Sequence, residues 1–176
     1  MRIIAGTNKG RTLKTPKWTG LRPTSDKLRE TLFNILQNRI AGARVLDVFS
    51  GTGAIALEAL SRGASAATCV ESDRRAAALI AENAARCRED RCVIIRDTVE
   101  RAWLWPIPGG PFDIVLLDPP YDYAPLDAAV VHAAAQRAEG GVVILEHAAR
   151  VIPPQPDHLT LTRTVTSGDS ALTFYS

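Results

Sequence analysis

After Lys27 this sequence contains no lysine, and no uninterrupted apolar run in it approaches the ~18 residues that would suggest a membrane span. The amino terminus, MRIIAGTNKGRTLK, lacks the apolar h-region of a signal peptide, so a cytoplasmic protein with no membrane partner is expected. Cysteine is scarce as well. Of the three, Cys69 lies in an apolar run, and Cys87 and Cys92 have neither CxxC spacing nor paired histidines nearby, which excludes a disulfide framework and a zinc site. His132, His147 and His158 have no carboxylate or second histidine at metal-ligand spacing, so no metal is expected.

What is present is unevenly distributed. Residues 1–44 hold ten Lys or Arg against two acids, Asp26 and Glu30, while the other 132 residues hold eleven Arg against seventeen acids. The overall charge of +2 therefore hides a segment at +8 beside one at −6. Charge runs are usually solvated surface, but this asymmetry suggests an arm that faces phosphates. Arg2, Lys9, Arg11, Lys14, Lys17 and Arg22 are its candidate contacts, and binding through them would depend steeply on salt.

From residue 44 onward apolar runs alternate with helical patterns. Strands are expected at Arg44–Phe49, Ala66–Glu71, Cys92–Arg96, Phe112–Asp118 and Gly141–Glu146. Helices are expected at Ala54–Arg62, at about Asp73–Arg88 and at about Pro125–Ala138. Such alternation predicts a parallel sheet covered on both faces, a Rossmann-like α/β fold. Leu159–Val165, the turn Ser167-Gly168-Asp169 and Ala171–Tyr175 read as an antiparallel hairpin closing the sheet at seven strands. Before residue 41, Arg2–Ala5 and Thr12–Thr15 flank a Gly-Thr-Asn-Lys-Gly turn as a small basic hairpin. A helix then places Leu28, Leu32, Ile35, Leu36 and Ile40 on one face, with Thr24 or Ser25 as its N-cap. Residues 1–40 are thus expected to be an appendage on a domain spanning 41–176, and the whole to be a monomer. Arg29 and Glu30 read as ion-pairing residues of that helix, Trp103 and Trp105 as core packing, and Arg101–Gly110 carries no clear element.

The first strand leads into Asp47-Val48-Phe49-Ser50-Gly51-Thr52-Gly53 and then a helix. Glycines there let backbone approach a ligand closely and let the helix amino terminus point at it. Glu71 ends the second strand twenty residues after Gly51, placed to bind ribose hydroxyls, and Asp97 ends the third. Gly51-x-Gly53-x-x-Ala56 also satisfies a dinucleotide fingerprint, so a nicotinamide enzyme stays open. Asp47 favours another cofactor: an acid before the glycines would repel a pyrophosphate but suits the ammonium and sulfonium of S-adenosylmethionine. Phe49, Ser50, Ser72 and Thr98 flank these positions and complete the candidate cofactor set.

The stretch DIVLLDPPYDY stops a buried strand at an acid and two prolines, which cannot donate to a ladder. Asp118 and Tyr121 are thereby displayed at the carboxyl end of a central strand, where open α/β sheets place ligands. Beside a sulfonium methyl, the Asp118 carboxylate and the Pro119 carbonyl would accept hydrogen bonds from an exocyclic amine. Its lone pair, otherwise delocalised into the base, would be freed for in-line attack. Pro119 and Pro120 stiffen the acceptors, and Tyr121 offers a face for an unstacked base.

DPPY after the fourth strand, with D-x-F-x-G-x-G at 47–53, resembles the class I amino-methyltransferases of exocyclic base nitrogens. RIIAG, KGR at 9–11, LRPTSDKLRETLFNIL at 21–36, VLDVFSGTGAIALEALSRGA at 45–64 and SGDSALTFY at 167–175 together resemble the RsmD family, the 16S rRNA (guanine-966-N2)-methyltransferases. Ser50-Gly51-Thr52 stands where that family commonly has Ala-Gly-Ser. The resemblance, rather than the chemistry above, selects guanine N2 over adenine N6. It implies a substrate in small-subunit rRNA, in a subunit or an assembly intermediate, with Asp118 and Tyr121 at catalytic motif positions and Asp47, Gly51, Gly53, Glu71 and Asp97 at cofactor positions. An adenine-N6 methyltransferase and a non-catalytic rRNA-binding assembly factor are the competing readings.

Overall fold

The computed structural model describes residues 1–16, 18 and 25–176. Its centre is a seven-stranded sheet built from β1 (Arg44–Val48), β2 (Ala66–Val70), β3 (Cys92–Ile95), β4 (Phe112–Leu117), β5 (Arg137–Ala148), β6 (Leu161–Ser167) and β7 (Ser170–Tyr175). The strand order is β3-β2-β1-β4-β5-β7-β6; β1 to β5 are parallel, and β7 runs antiparallel between β5 and β6. The chain builds outward from β1 to β3, then jumps back to the other side of β1 for β4. That reversal leaves a crevice at the carboxyl ends of β1 and β4, the switch point where open sheets bind ligands.

Helices α1 (Asp26–Ile35), α2 (Ala54–Ser61) and α3 (Arg74–Cys87) pack on one face of the sheet, sharing a core with Leu116, Ile144, Leu172 and Phe174. The short α4 (Val99–Ala102) and α5 (Leu126–Ala135) cover the other, with Leu117, Leu145 and Tyr175. Strands buried on both sides explain why VLDV and IVLL are continuous rather than alternating.

The sequence AIALEALS of α2 is apolar nearly all round, and every residue of it is buried. The amino-terminal segment supplies its outer cover. Fully buried Glu58 accepts from the Ile4 and Ala5 N–H groups at 2.7 and 3.0 Å and from Arg62 Nε at 2.7 Å. Ser61 Oγ donates to the Ala5 carbonyl and accepts from Asn8 N–H, and Asn83 of α3 bonds both backbone groups of Lys14 and the Thr52 carbonyl. Ile3 and Leu13 join the same core as α2, so the segment and the sheet are packed as one body.

Several expectations change in detail. The first hairpin is present but holds only one isolated bridge, Arg2 to Thr12, because Glu58 and Asn83 take part of its backbone hydrogen bonding. Ser25 is the N-cap of α1, accepting from Leu28 N–H; Thr24 lies outside the described residues. The helix ends at Ile35, so Ile40 reaches the core from the following turn. Helix α5 stops at Ala135 rather than 138, because Phe112 N–H captures the Gln136 carbonyl and Arg137 already pairs with β4. Thr98 caps α4, an element that the sequence did not announce. Trp103 packs on the core and stacks on His132, whereas Trp105 is exposed. Fully buried Arg29 donates to Asp26 and to the Arg2 carbonyl.

Candidate active site

The β1–α2 loop and the segment after β4 meet in one cleft of about 650 Å³. Asp47, Phe49, Ser50, Gly51, Glu71 and Ser72 line it from one side. Asp118, Pro119, Pro120 and Tyr121 line it from the other. Ten of the sequence-chosen site residues are therefore brought together.

The loop is held by a small set of bonds. Phe49 takes φ +62 and Gly53 φ +72, left-handed backbone that side chains rarely adopt. A Cβ on Gly53 would also stand 2.8 Å from Ile80 Cγ2, so the position requires glycine. Ser50 Oγ donates to the Asp47 carbonyl at 2.5 Å, and Ser50 N–H to the Val70 carbonyl at 3.1 Å, tying the loop to the end of β2. Glu71 then accepts from Gly51 N–H with one oxygen and from Asp73 N–H with the other, both at 2.8 Å. Each oxygen keeps a lone pair for a ligand hydroxyl.

Asp47 is almost wholly buried and accepts from Ala56 N–H at 3.3 Å. Burial raises its pKa well above the usual carboxylate range, and the neighbouring Asp118 charge adds to the shift. A cationic ligand in the cleft would offset that cost, whereas a pyrophosphate would add to it.

Register places the acids on one side of the sheet. Asp47 pairs with Leu116, and Leu117 pairs with Leu145, so Asp118 and Glu146 follow side by side on adjacent strands. Asp118 is half-buried, and its N–H donates to the Val48 carbonyl at 3.3 Å. Tyr121 is 41% exposed, and its Oη lies 2.8 Å from Ser170 Oγ. Behind it, Phe49 meets the Tyr123 ring edge-on at 5.0 Å. Tyr123 Oη donates to Glu100, and burial with that bond pushes the phenol up to about 12.

Three cofactor candidates lie outside the cleft lining. Gly53 sits one residue behind it, at the N-cap of α2. Asp97 pairs with Arg101 at 3.3 Å and accepts from Thr98 N–H, and the Thr98 side chain caps α4. Both make contacts with the short helix that sequence did not reveal. Of the arm, Arg2 and Lys9 are exposed with no ion pair among the described residues, Lys14 pairs with Glu82, and Arg11 donates to the Arg86 carbonyl. Lys17 and Arg22 lie outside the described residues.

The structure also adds residues. Ser167, Asp169 and Ser170 of the β6–β7 turn line the cleft beside Tyr121, as do Trp18 and Arg75. Glu146, which the strand pattern already puts at the carboxyl end of the fifth strand where it could line the cleft or make a structural hydrogen bond, lines it too. The Arg75 guanidinium stands 4.9 Å from the Trp18 ring centre and bonds Asp73. The turn residues lay inside SGDSALTFY, a recognisable block given no role. Nothing local in the sequence announces Trp18, whose place depends on packing against α3.

A family model described as Conserved hypothetical protein 95 matches residues 1–176. The chain belongs to this family. The resemblance to the RsmD family is borne out with it. Ribosomal RNA small subunit methyltransferase D of Escherichia coli K12 is 41% identical over 121 residues, which is 69% of this chain but only 60% of that protein. YlbH of Bacillus subtilis is 33% identical over 180 residues, covering 99% of this chain and 98% of its own length. The solved structure of yhhF from Escherichia coli superposes with a TM-score of 0.88 at 34% identity, covering 99% and 96% of the two chains. The fold is thus the Rossmann-like class I methyltransferase fold with its antiparallel carboxyl-terminal hairpin.

Proposed function

We propose that this protein transfers a methyl group from S-adenosylmethionine to the exocyclic N2 of a guanine in 16S rRNA of the small ribosomal subunit, the base that the family resemblance numbers 966. The observation that carries the reading is the meeting of Asp118-Pro119-Pro120-Tyr121 with the Asp47, Gly51 and Glu71 loop in one cleft. The name of the Escherichia coli relative supports the reaction and the substrate.

The cleft fits the cofactor. Buried Asp47 would take the cationic methionine end, and Glu71 the ribose hydroxyls, with Phe49, Ser50, Gly51 and Ser72 around them and Gly53 setting the loop. When bound, the cofactor supplies a methyl group activated by its sulfonium. Everything else falls to the chain. The Asp118 carboxylate and the Pro119 carbonyl accept from the two N2 hydrogens, which aligns the nitrogen lone pair with the methyl group. Tyr121 stacks on the flipped base, and the closed ring of Pro120 keeps the loop from swinging. On methylation N2 would lose one proton, and Asp118 is the acceptor on hand. Arg2 and Lys9 are free to meet phosphates, and exposed Lys14 exchanges a surface carboxylate for one at small cost.

The test is methyl transfer from labelled S-adenosylmethionine to small subunits lacking the modification, followed by nucleoside digestion and mass spectrometry. N2-methylguanosine at one position is the expected product. N6-methyladenosine would overturn the choice of base, and no methylation despite cofactor and subunit binding would favour an assembly factor.

A further inference from the structure

Guanine and adenine differ at the atom next to the amine. In guanine, N1 carries a hydrogen and needs an acceptor; in adenine, N1 is itself an acceptor. A cleft that holds only the amine could not tell them apart, so a guanine-specific enzyme needs a further acceptor beside Asp118.

Six carboxylates line the cleft: Asp47, Glu71, Asp73, Asp118, Glu146 and Asp169. Four have their work. Asp47 is buried against Ala56 N–H, and Glu71 accepts from Gly51 and Asp73. Asp73 caps α3 and binds Arg75, and Asp118 faces the amine. Glu146 lies on the floor at 5% exposure, level with Asp118 in the strand register. Asp169 lies at the rim, exposed, on the same wall as the stacking face of Tyr121.

We propose that Asp169 accepts the N1–H of the target guanine and so sets the choice of guanine over adenine; the proposal rests on the functional reading above and assigns its base specificity. Three observations converge on it. Ser170, the next residue, bonds the hydroxyl of Tyr121 at 2.8 Å, which ties the turn to the ring that receives the base. Ala149 N–H donates to the Asp169 carbonyl at 2.8 Å, anchoring the turn on the end of β5. Gly168, at φ +62, is the first of the two residues joining β6 to β7, a glycine position in tight hairpin turns, so the backbone carrying Asp169 is fixed. With N2 at Asp118 and the ring on Tyr121, three residues further along, the adjoining base edge faces this turn. The Asp169 side chain makes no ion pair or hydrogen bond of its own among the described residues.

The test pairs an atom with a residue. Small subunits are reconstituted with 16S RNA carrying either guanine or 2-aminopurine at the target position. 2-Aminopurine keeps the amine but lacks the N1 hydrogen. Methyl transfer is measured for the parent, Asp169→Ala, Asp169→Asn and Glu146→Ala. The parent should lose about 10- to 100-fold in kcat/KM on 2-aminopurine, as expected for one hydrogen bond to a charged acceptor. In Asp169→Ala that penalty should shrink by about tenfold or more, and Asp169→Asn, which keeps an acceptor oxygen, should retain part of it. Glu146→Ala should keep it whole. Each penalty is a ratio within one variant, so a loss common to both substrates cancels. An unchanged penalty in Asp169→Ala, or its disappearance in Glu146→Ala instead, overturns the assignment. Failure of the parent on guanine subunits would overturn the functional reading beneath it.

Discussion

Glu71 and Asp47 take their hydrogen bonds from backbone N–H groups, at Gly51, Asp73 and Ala56, whereas Tyr121 and Ser170 across the cleft bond each other side chain to side chain. On the first wall Asp47, Phe49, Ser50, Gly51 and Glu71 are buried or half-buried, and the loop is set by positive φ values at Phe49, Gly51 and Gly53. The second is open, with Pro120, Tyr121 and Asp169 all exposed. A small cofactor of constant shape suits acceptors fixed in advance. A base delivered on a large RNA suits a rim that it can reach. If the walls work separately, damage to one should spare the other.

The largest separation is expected at Asp118. Asp118→Ala should lower the single-turnover rate of methyl transfer by about 10²–10³-fold, the scale of losing one preorganised electrostatic contact. A loss below about fivefold in rapid-quench measurements would remove Asp118 from the chemistry. Next comes Glu71→Ala, which removes the acceptor of two backbone N–H groups along with the proposed ribose contact. Cofactor affinity should fall about 10- to 100-fold, and the melting temperature should fall with it, because Gly51 and Asp73 N–H lose their acceptor. Unchanged cofactor affinity would show that the first wall is not where the cofactor lies.

Asp47→Asn sharpens the contrast through pH. The folded-state pKa of Asp47 is raised above its unfolded value of about 3.9. Its contribution to stability is therefore whole below that value and is lost as pH rises through the folded pKa. The asparagine variant should melt higher than the parent near neutral pH, lose that advantage below about pH 4, and bind S-adenosylmethionine more weakly near neutral pH. Differential scanning fluorimetry against pH checks the first part and calorimetry the second. A variant that is less stable at every pH would contradict the assignment of strain to the buried charge. The smallest effect belongs to Tyr121→Phe, which keeps the stacking face and loses the Ser170 bond. Methyl transfer should fall only about twofold to tenfold, and the cofactor affinity should not move.

The same division governs what sequence could reveal. Strand β1, its glycine loop and Glu71 are local patterns: an apolar run, two glycines that carry positive φ and an acid at a fixed interval. The acid and prolines after β4 are equally local. Asp97, at the end of the third strand, and Thr98 beside it belong to the expected cofactor set, and both also contact the α4 turn that follows. A four-residue helix has too little periodicity to be seen in advance. Asp169 and Ser170 reach the cleft because β7, already paired with β6 in the hairpin, also pairs with β5, and that second pairing is not written in the hairpin's own pattern. The basic arm was visible as charge, yet its fastening was not. Glu58 is a lone acid in an apolar helix, and it is fully buried where the arm's Ile4 and Ala5 N–H groups bond it. Glu58→Ala should cost about 3–5 kcal/mol in denaturant unfolding, as removal of one partner from a buried charged network does, and a cost under about 1 kcal/mol would show the arm to be held by its apolar contacts alone.

The separateness of the two walls is tested most directly by calorimetric titration of S-adenosylhomocysteine into Asp118→Ala. Its thioether carries no charge, so the removed carboxylate is not read through a sulfonium. An affinity within about threefold of the parent, less than about 1 kcal/mol, is the predicted result. A loss of about tenfold or more would mean that Asp118 belongs to the cofactor wall, and that the cleft does not divide as described.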